Sequence, residues 1–472
     1  MAGGSEVLIA AASLKTNYMA TEVILIFDIG KTNKKVLLFD RNLQIISEEE
    51  DKFEEIVDDD GFACDDIEKI EKWVLMSTNK YLSDPAYDIK AINFTTYGAT
   101  LMYIDKNGER LTPVYNYLKP MPGGVAESLY DIYGGLEEFS RKTASPALGM
   151  LNSGLQALWL KIHKPEIFEK VAHILHFPQY LSYKLTGKIA SEHTSIGCHT
   201  AMWDFDNMCY HDWIRDNGIE LPWPVSVEQV FPAAKINSNV PVGIGIHDSS
   251  SSLVPYFKHT KDAFALASTG TWSINMNPFN HTPLTKEQLE LDCLAYMSIQ
   301  QKPVKSSRFF LGHIHDVNVE RLTAFFKVDK NAFKKVGVDA ALLEKFKEKN
   351  KGERIFFTGT MPEDFIDKDA DLGTFGSFHE AYHQLMIDLT TLTADSINLV
   401  ITPEDMTKNL FVTGGFAKNP LFTRLLAARF CDKTVYTSEI ANATSLGAAL
   451  VLWKYFGDVD EPELDLGLQR IS

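Results

Sequence analysis

Two distant segments of the chain share one local design, and that duplication limits the fold more than any other feature. Residues 23–27, Val-Ile-Leu-Ile-Phe, form the continuous apolar run of a strand buried on both faces. A polar turn follows, Asp28-Ile29-Gly30-Lys31-Thr32-Asn33, and residues 36–40 predict a second strand. After Tyr256 the pattern begins again. Residues 264–267 predict a strand, Ser268-Thr269-Gly270-Thr271 a Gly/Thr turn, and residues 272–276 another strand. Two hairpins of one design, each opening an α/β half, imply duplicated domains facing each other across a cleft.

The intervening pattern is consistent with two such halves. Helical spacing covers residues 67–81, 154–185, 375–400, 421–430 and 443–453. Strands are expected over 89–94, 241–246 and 409–413. The first runs into Thr95-Thr96-Tyr97-Gly98, the second into His247-Asp248-Ser249, the third into Gly414-Gly415. The expected organisation is an extension over residues 1–20, an N-terminal domain over 21–256 and a C-terminal domain over 257–472. The extension's short apolar piece, Val7 to Ala12, lacks the basic flank of a signal peptide, and because Met19 lies just before the first strong strand the segment before it is read as a disordered extension or an alternative start.

Charge restricts how such a chain holds a ligand. Asp and Glu number 63 against 46 Lys and Arg, a net charge of −17, with no basic run. Nucleic acid and anionic membranes are therefore excluded as expected partners. A phosphate-bearing ligand must be held by backbone amides, a metal and a few placed side chains. The 5 cysteines form no CxxC pair and read as reduced thiols of a cytoplasmic protein.

The turns supply what bulk charge does not. Asp28-x-Gly30-x-Thr32-x-x-Lys35 places a carboxylate, a close-approach glycine, a hydroxyl and a cation at one strand end. Asp28 can hold Mg²⁺, directly or through water. Ser268, Gly270 and Thr271 offer amides and hydroxyls from the other half. Gly414-Gly415, with Asn419 opening a helix, makes a flat platform for a nucleoside. Asp248 stands at a strand end between the halves, where a loop carboxylate would face a cleft.

Three short motifs compete and are rejected. Gly30-Lys31-Thr32 lacks the earlier P-loop glycine, since position 25 is Leu. Gly243-Ile244-Gly245 meets Asp248 where a dinucleotide fingerprint needs its third glycine. His379-Glu380-Ala381-Tyr382-His383 matches HExxH, with Glu404 as the only nearby third zinc ligand, and leaves a zinc hydrolase as a remote alternative.

Taken with Ala443-Thr444-Ser445-Leu446-Gly447, these landmarks resemble the FGGY family of carbohydrate kinases. Residues 270–273 and 177–187 look most like its rhamnulokinase and L-fuculokinase members. The resemblance implies two actin-like, ribonuclease H-like ATPase domains around a nucleotide- and sugar-binding cleft. It implies phosphoryl transfer from ATP, with Mg²⁺, to a small ketose, with Asp248 as base. Asp28, Gly30, Thr32, Asn33 and Lys35 would form the first phosphate loop, and Ser268, Gly270 and Thr271 the second. Gly414, Gly415 and Asn419 would hold the adenosine, while Gly98, Thr100, His247 and Ser249 match positions near the sugar. Two departures alter the sugar wall: Thr100 stands where relatives carry Asp, and Tyr115-Asn116-Tyr117-Leu118-Lys119 replaces an aromatic, Asp and Arg. An ATP- and sugar-binding relative without turnover is thus the nearer alternative. The expected partners are sugar and ATP, with a homodimer left open.

Overall fold

The computed structural model describes residues 20–350, 353–457 and 462–471, so the expected extension lies, Ala20 apart, outside the described residues. The first apolar run becomes β1 (Thr21–Ile29), which turns into β2 (Lys34–Asp40) and continues to β3 (Ile45–Asp51). Gly30 N–H closes the turn by donating to the Asn33 carbonyl. Helix α1 (Ile67–Ser83), capped by the Asp66 carboxylate, returns the chain so that β4 (Tyr87–Thr96) runs parallel to β1. After α2 (Phe177–Thr186), β5 (Pro241–Gly243) and β6 (Ile246–His247) both pair with β4.

The second half repeats this plan. β7 (Phe264–Thr269) and β8 (Ser273–Asn277) form its hairpin, with β9 (Pro303–Phe309) antiparallel beside β8. β10 (Asn409–Gly414) and β11 (Thr434–Thr437) extend the other side in parallel. Each sheet has seven strands. In each, the leading strand pairs with an antiparallel strand on one side and a parallel strand on the other. The α/β fold with two repeated halves is therefore the one the hairpins imply.

Two expectations fail locally. The strand expected over 241–246 is divided at Gly245, whose φ of +86° breaks the pleat and whose missing Cβ makes room for Pro178. The helical stretch expected over 154–185 is also divided. It gives a helix at Ser153–His163, a turn of helix opened by Pro165, a strand at His173–His176, and then α2. Proline cannot continue the first helix, and the strand pairs with Leu101–Ile104. A tertiary partner overrides the helical spacing.

Short helices α3 (Asp248–Ser251) and α4 (Val254–His259) link the halves, and the second half adds α5 (Leu311–Phe326), α6 (Phe378–Asn398), α7 (Pro420–Arg429) and α8 (Ala443–Val451). The continuous apolar run of β1 is explained by burial on both faces. Val23, Leu25, Phe27 and Ile29 pack against Ile70, Val74 and Leu181 from α1 and α2. Ile24 and Ile26 pack against Leu446, Ala448 and Leu450 of α8. Reciprocally, Phe264 and Leu266 of β7 pack against Leu253 and Tyr256 beside and within α4. Each sheet is thus covered by a helix from the other half of the chain, and α4 and α8 pack together between them.

The approach of these helices leaves no room for a side chain at Gly447, where a Cβ would lie 2.0 Å from the Ser251 carbonyl oxygen. Gly447→Ala adds helix propensity but forces α8 off α3. It is expected to cost about 1–3 kcal/mol of stability. The measurement is urea unfolding, with a lower midpoint at unchanged slope; an unchanged midpoint would show that α8 moves aside freely.

Candidate active site

Three segments converge at the end of β1. Asp28 Oδ2 accepts hydrogen bonds from the Thr444 and Ser445 hydroxyls in the first turn of α8, each at 2.5 Å. Ser251 Oγ ties that turn to α3 by donating to the Thr444 carbonyl at 2.7 Å. Desolvation raises the Asp28 carboxyl, the two hydroxyls oppose the rise, and the charge of Asp248 adds to it. A carboxylate whose ionisation is opposed by burial and by a neighbouring carboxylate favours a cation beside it. Asp28 is equipped for one, because both protein hydrogen bonds fall on Oδ2 and leave Oδ1 open.

Asp248 begins α3 directly after β6. Its Oδ1 accepts from Ser249 N–H at 2.6 Å and lies 3.2 Å from His247 Nε2. Oδ2 has no protein partner, and 31% of the side chain stays open to the cleft. Desolvation pushes the carboxyl up to about 6 against the Ser249 hydrogen bonds. A carboxylate poised near neutrality, fixed by one oxygen and free at the other, is arranged to accept a proton.

Behind it stand His247 and Cys198, with Sγ 3.0 Å from Nε2. Burial lowers the His247 imidazole to about 3, so it is neutral, and raises the Cys198 thiol well above its usual range. These groups explain Gly98: a Cβ there would meet Cys198 Sγ at 2.8 Å and His247 Nε2 at 3.0 Å. Thr100 is buried, and its hydroxyl donates to the Gly98 carbonyl at 3.2 Å, bracing the loop. Tyr117 packs edge-to-face against Tyr97, and burial is the main cause that raises its phenol. Lys119 is held by Asp58 at 2.6 Å and by Asp60.

The first Gly/Thr turn stands at the edge of this site. Thr32 is exposed at its tip, and Asn33 Oδ1 is buried without a protein partner. Lys35 sits opposite Asp28 in the β1–β2 register, and its ammonium bonds Glu48 and Asn442, each at 2.8 Å. It therefore links the first sheet to the loop before α8 in this structure.

The second turn opens onto a pocket of about 460 Å³. Gly270, Thr271, Gly415 and Asn419 line it, joined by Gly312, His315, Asp316, Lys334, Phe416 and Lys418. Ser268 stays within β7, paired with Ile274 and Thr413. Gly414 acts sterically: at φ +88° a Cβ would lie 1.9 Å from the Thr269 carbonyl oxygen, which accepts from Gly415 N–H at 2.7 Å. Asn419 caps α7, its Oδ1 accepting from Leu421 and Phe422 N–H. Its Nδ2 donates to Tyr382, which in turn meets His315. The walls at 312–316 and 333–336 carry no motif and escaped sequence reasoning. So did the roles of Thr444, Ser445 and Cys198.

The second HExxH histidine is otherwise engaged. His383 Nδ1 donates to the His379 carbonyl at 2.9 Å, and its Nε2 accepts from Asp339 N–H at 3.2 Å. Neither nitrogen keeps a lone pair for zinc. Among the described residues, only Asp58, Asp59 and Asp60 cluster like metal ligands, and Lys119 and Lys164 pair with them.

Known proteins resemble this chain in sequence over its first half and in fold over both. Residues 23–218 match the N-terminal domain of the FGGY family of carbohydrate kinases. A rhamnulokinase of Oceanobacillus iheyensis is 25% identical over 273 residues, 54% of this chain and 56% of the relative. The chain thus spans about half the length of the curated relatives it matches. A carbohydrate kinase from Novosphingobium aromaticivorans superposes with a TM-score of 0.79 at 24% identity, covering 96% of this chain and 94% of that one. A ligand-bound xylulose kinase from Lactobacillus acidophilus gives 0.72 at 17% identity, covering 96% and 93%. These structures share the fold across both halves. Residues 23–218 thus resemble in sequence the N-terminal domain of the FGGY family of carbohydrate kinases, and both halves share the fold of a solved carbohydrate kinase.

Proposed function

We propose that this protein transfers the γ-phosphoryl group of ATP to a hydroxyl of a small neutral sugar, most readily a ketose such as rhamnulose, fuculose or xylulose. The observation that carries this reading is Asp248: one oxygen fixed, the other free, and its pKa raised to about 6 beside a second half-buried carboxylate. In this reading Asp248 orients the acceptor hydroxyl and takes its proton as the bond to phosphorus forms. Neutral His247 holds the carboxylate in place without cancelling its charge. The amides of the Gly30 and Gly270 turns would meet the phosphates, and the 460 Å³ pocket would take the nucleoside, with Asn419 buttressing its wall.

Mg²⁺ fits at Asp28, whose Oδ1 is open and whose ionisation a divalent cation would favour; bound there with ATP, it would neutralise phosphate charge. Thr444 and Ser445 keep the other oxygen from turning away. Thr32, Asn33, Lys35, Ser268 and Thr271 complete the proposed phosphate contacts, with Lys35 exchanging Glu48 or Asn442 for a phosphate. Because ATP is the phosphoryl donor, the reading places the protein in the cytoplasm; the free cysteines agree. A binding protein without turnover would have no use for the open, raised carboxylate of Asp248.

Asp248→Asn keeps the shape and removes the base. Turnover with ATP and an accepted ketose is expected to fall by about 10²–10⁴-fold with ATP affinity nearly unchanged. Near wild-type turnover would remove Asp248 from the mechanism. In the parent protein, kcat/KM is expected to rise with pH through an apparent pKa near 6 and then level, since only ionised Asp248 accepts a proton. A flat profile from pH 5 to 8 would contradict this. The same shift has a cost in stability. A carboxyl raised in the folded state makes the fold lose stability as pH climbs from the unfolded value, about 4, through about 6. Asp248→Asn is therefore expected to raise Tm at pH 7.5 and to lose that advantage at pH 4; an equal Tm at pH 7.5 would show that Asp248 carries no strain.

A further inference from the structure

A small cavity lies beside Asp248, enclosed by Tyr97, Gly98, Thr100, His176, Phe177, Pro178, Ser195 and His247. Its free volume is about 10 Å³, the size of a single water-sized group. Two imidazoles of its wall are unfinished. His176 Nε2 and His247 Nδ1 are both buried, in residues only 5% and 4% exposed, and neither has a hydrogen-bond partner in the protein. Ser195 Oγ is buried too and makes no hydrogen bond of good geometry, although Glu192 stands beside it. Buried polar atoms are almost always paired, so two unpaired ring nitrogens in one cavity call for an occupant that can bond both.

We propose that this cavity is a specificity subsite that receives one uncharged hydroxyl of the acceptor sugar, with His176 as a residue that selects for it. The inference rests on the proposed sugar-kinase reading and names the class of sugar it favours. Size admits an oxygen and little else. Chemistry asks for a group that both donates and accepts, because neutral imidazole presents one nitrogen of each kind. Charge excludes an acid. Burial holds both His176 and His247 at about 3, and their mutual repulsion lowers His176 further, so both rings are neutral at physiological pH. No cation among the residues around the cavity would compensate a carboxylate pressed into it. Aldonic acids are thus rejected and hydroxyl-bearing neutral sugars accepted. The position also ties selection to catalysis. His247 walls the cavity, its Nδ1 is unpartnered, and its Nε2 lies 3.2 Å from Asp248 Oδ1, so a hydroxyl that bonds this ring would help to set the base.

The test pairs His176→Phe, which fills the site and removes the nitrogen, with His176→Asn, which keeps a donor and an acceptor. Initial rates are measured with ATP and D-xylulose, L-xylulose, L-rhamnulose, L-fuculose and D-gluconate. For the best ketose, His176→Phe is expected to lose about 30-fold or more in kcat/KM, while His176→Asn stays within about 5-fold and both bind ADP as the parent does. D-Gluconate is expected to be inert with all three proteins. Equal kcat/KM for His176→Phe and the parent, or gluconate turned over as well as the best ketose, would overturn the proposal. If the parent phosphorylates none of these compounds, the kinase reading fails by itself. The subsite is then judged by calorimetry with the same sugars: ketose binding by the parent that His176→Phe abolishes and His176→Asn retains supports it, and any other pattern overturns it.

Discussion

The contact on which the site depends is that between α3 and α8, where Gly447 lies against the Ser251 backbone and Ser251 Oγ bonds the Thr444 carbonyl. It fixes two helix starts relative to each other. One carries Asp248, and the other carries the hydroxyls that hold Asp28. Neither carboxylate is positioned by its own strand alone. Asp28 ends a strand of the first sheet, yet its hydrogen bonds come from residues more than 400 positions later. A backbone contact without a Cβ is the closest approach two helices can make, and here it brings two acidic groups within reach of each other's charge.

That closeness is costly to the fold and useful to the chemistry. Each carboxylate loses solvation, and Asp28 also feels Asp248, so the pair favours a bound cation and a proton acceptor near neutral pH. The surrounding sheets supply the stability that tolerates it. Exchange of covering helices, α8 on the first sheet and α4 on the second, buries both faces of β1 and β7. The net charge of −17 is a property of the rest of the surface. On the proposed reading, phosphate at the cleft would be met by turn amides, by Lys35 and by a metal at Asp28.

Local sequence carried much of this. The two hairpins, the strand before Gly414 and the helices around 67–83 and 378–398 follow from apolar runs, turn residues and caps. What it missed depends on distant partners. Gly245 splits a strand because Pro178 crowds it, and Pro165 and a strand pairing interrupt a helical pattern. Thr444 and Ser445 look like ordinary residues of a small-residue helix until Asp28 is placed over them. His176 has the spacing of any buried residue; only the enclosed cavity shows its second nitrogen to be unpaired. Lys119 would have been counted in the sugar wall, yet Asp58 and Asp60 hold it elsewhere.

The central claim is that one cleft brings ATP and a neutral sugar to Asp248. The most direct measurement is ADP release by the parent protein with Mg²⁺ and ATP, across a panel of ketoses, polyols and aldonic acids. Release is expected to depend on the sugar, to be greatest with a ketose, and to stop without Mg²⁺. ATP binding with no sugar-dependent ADP release across the panel would contradict the claim.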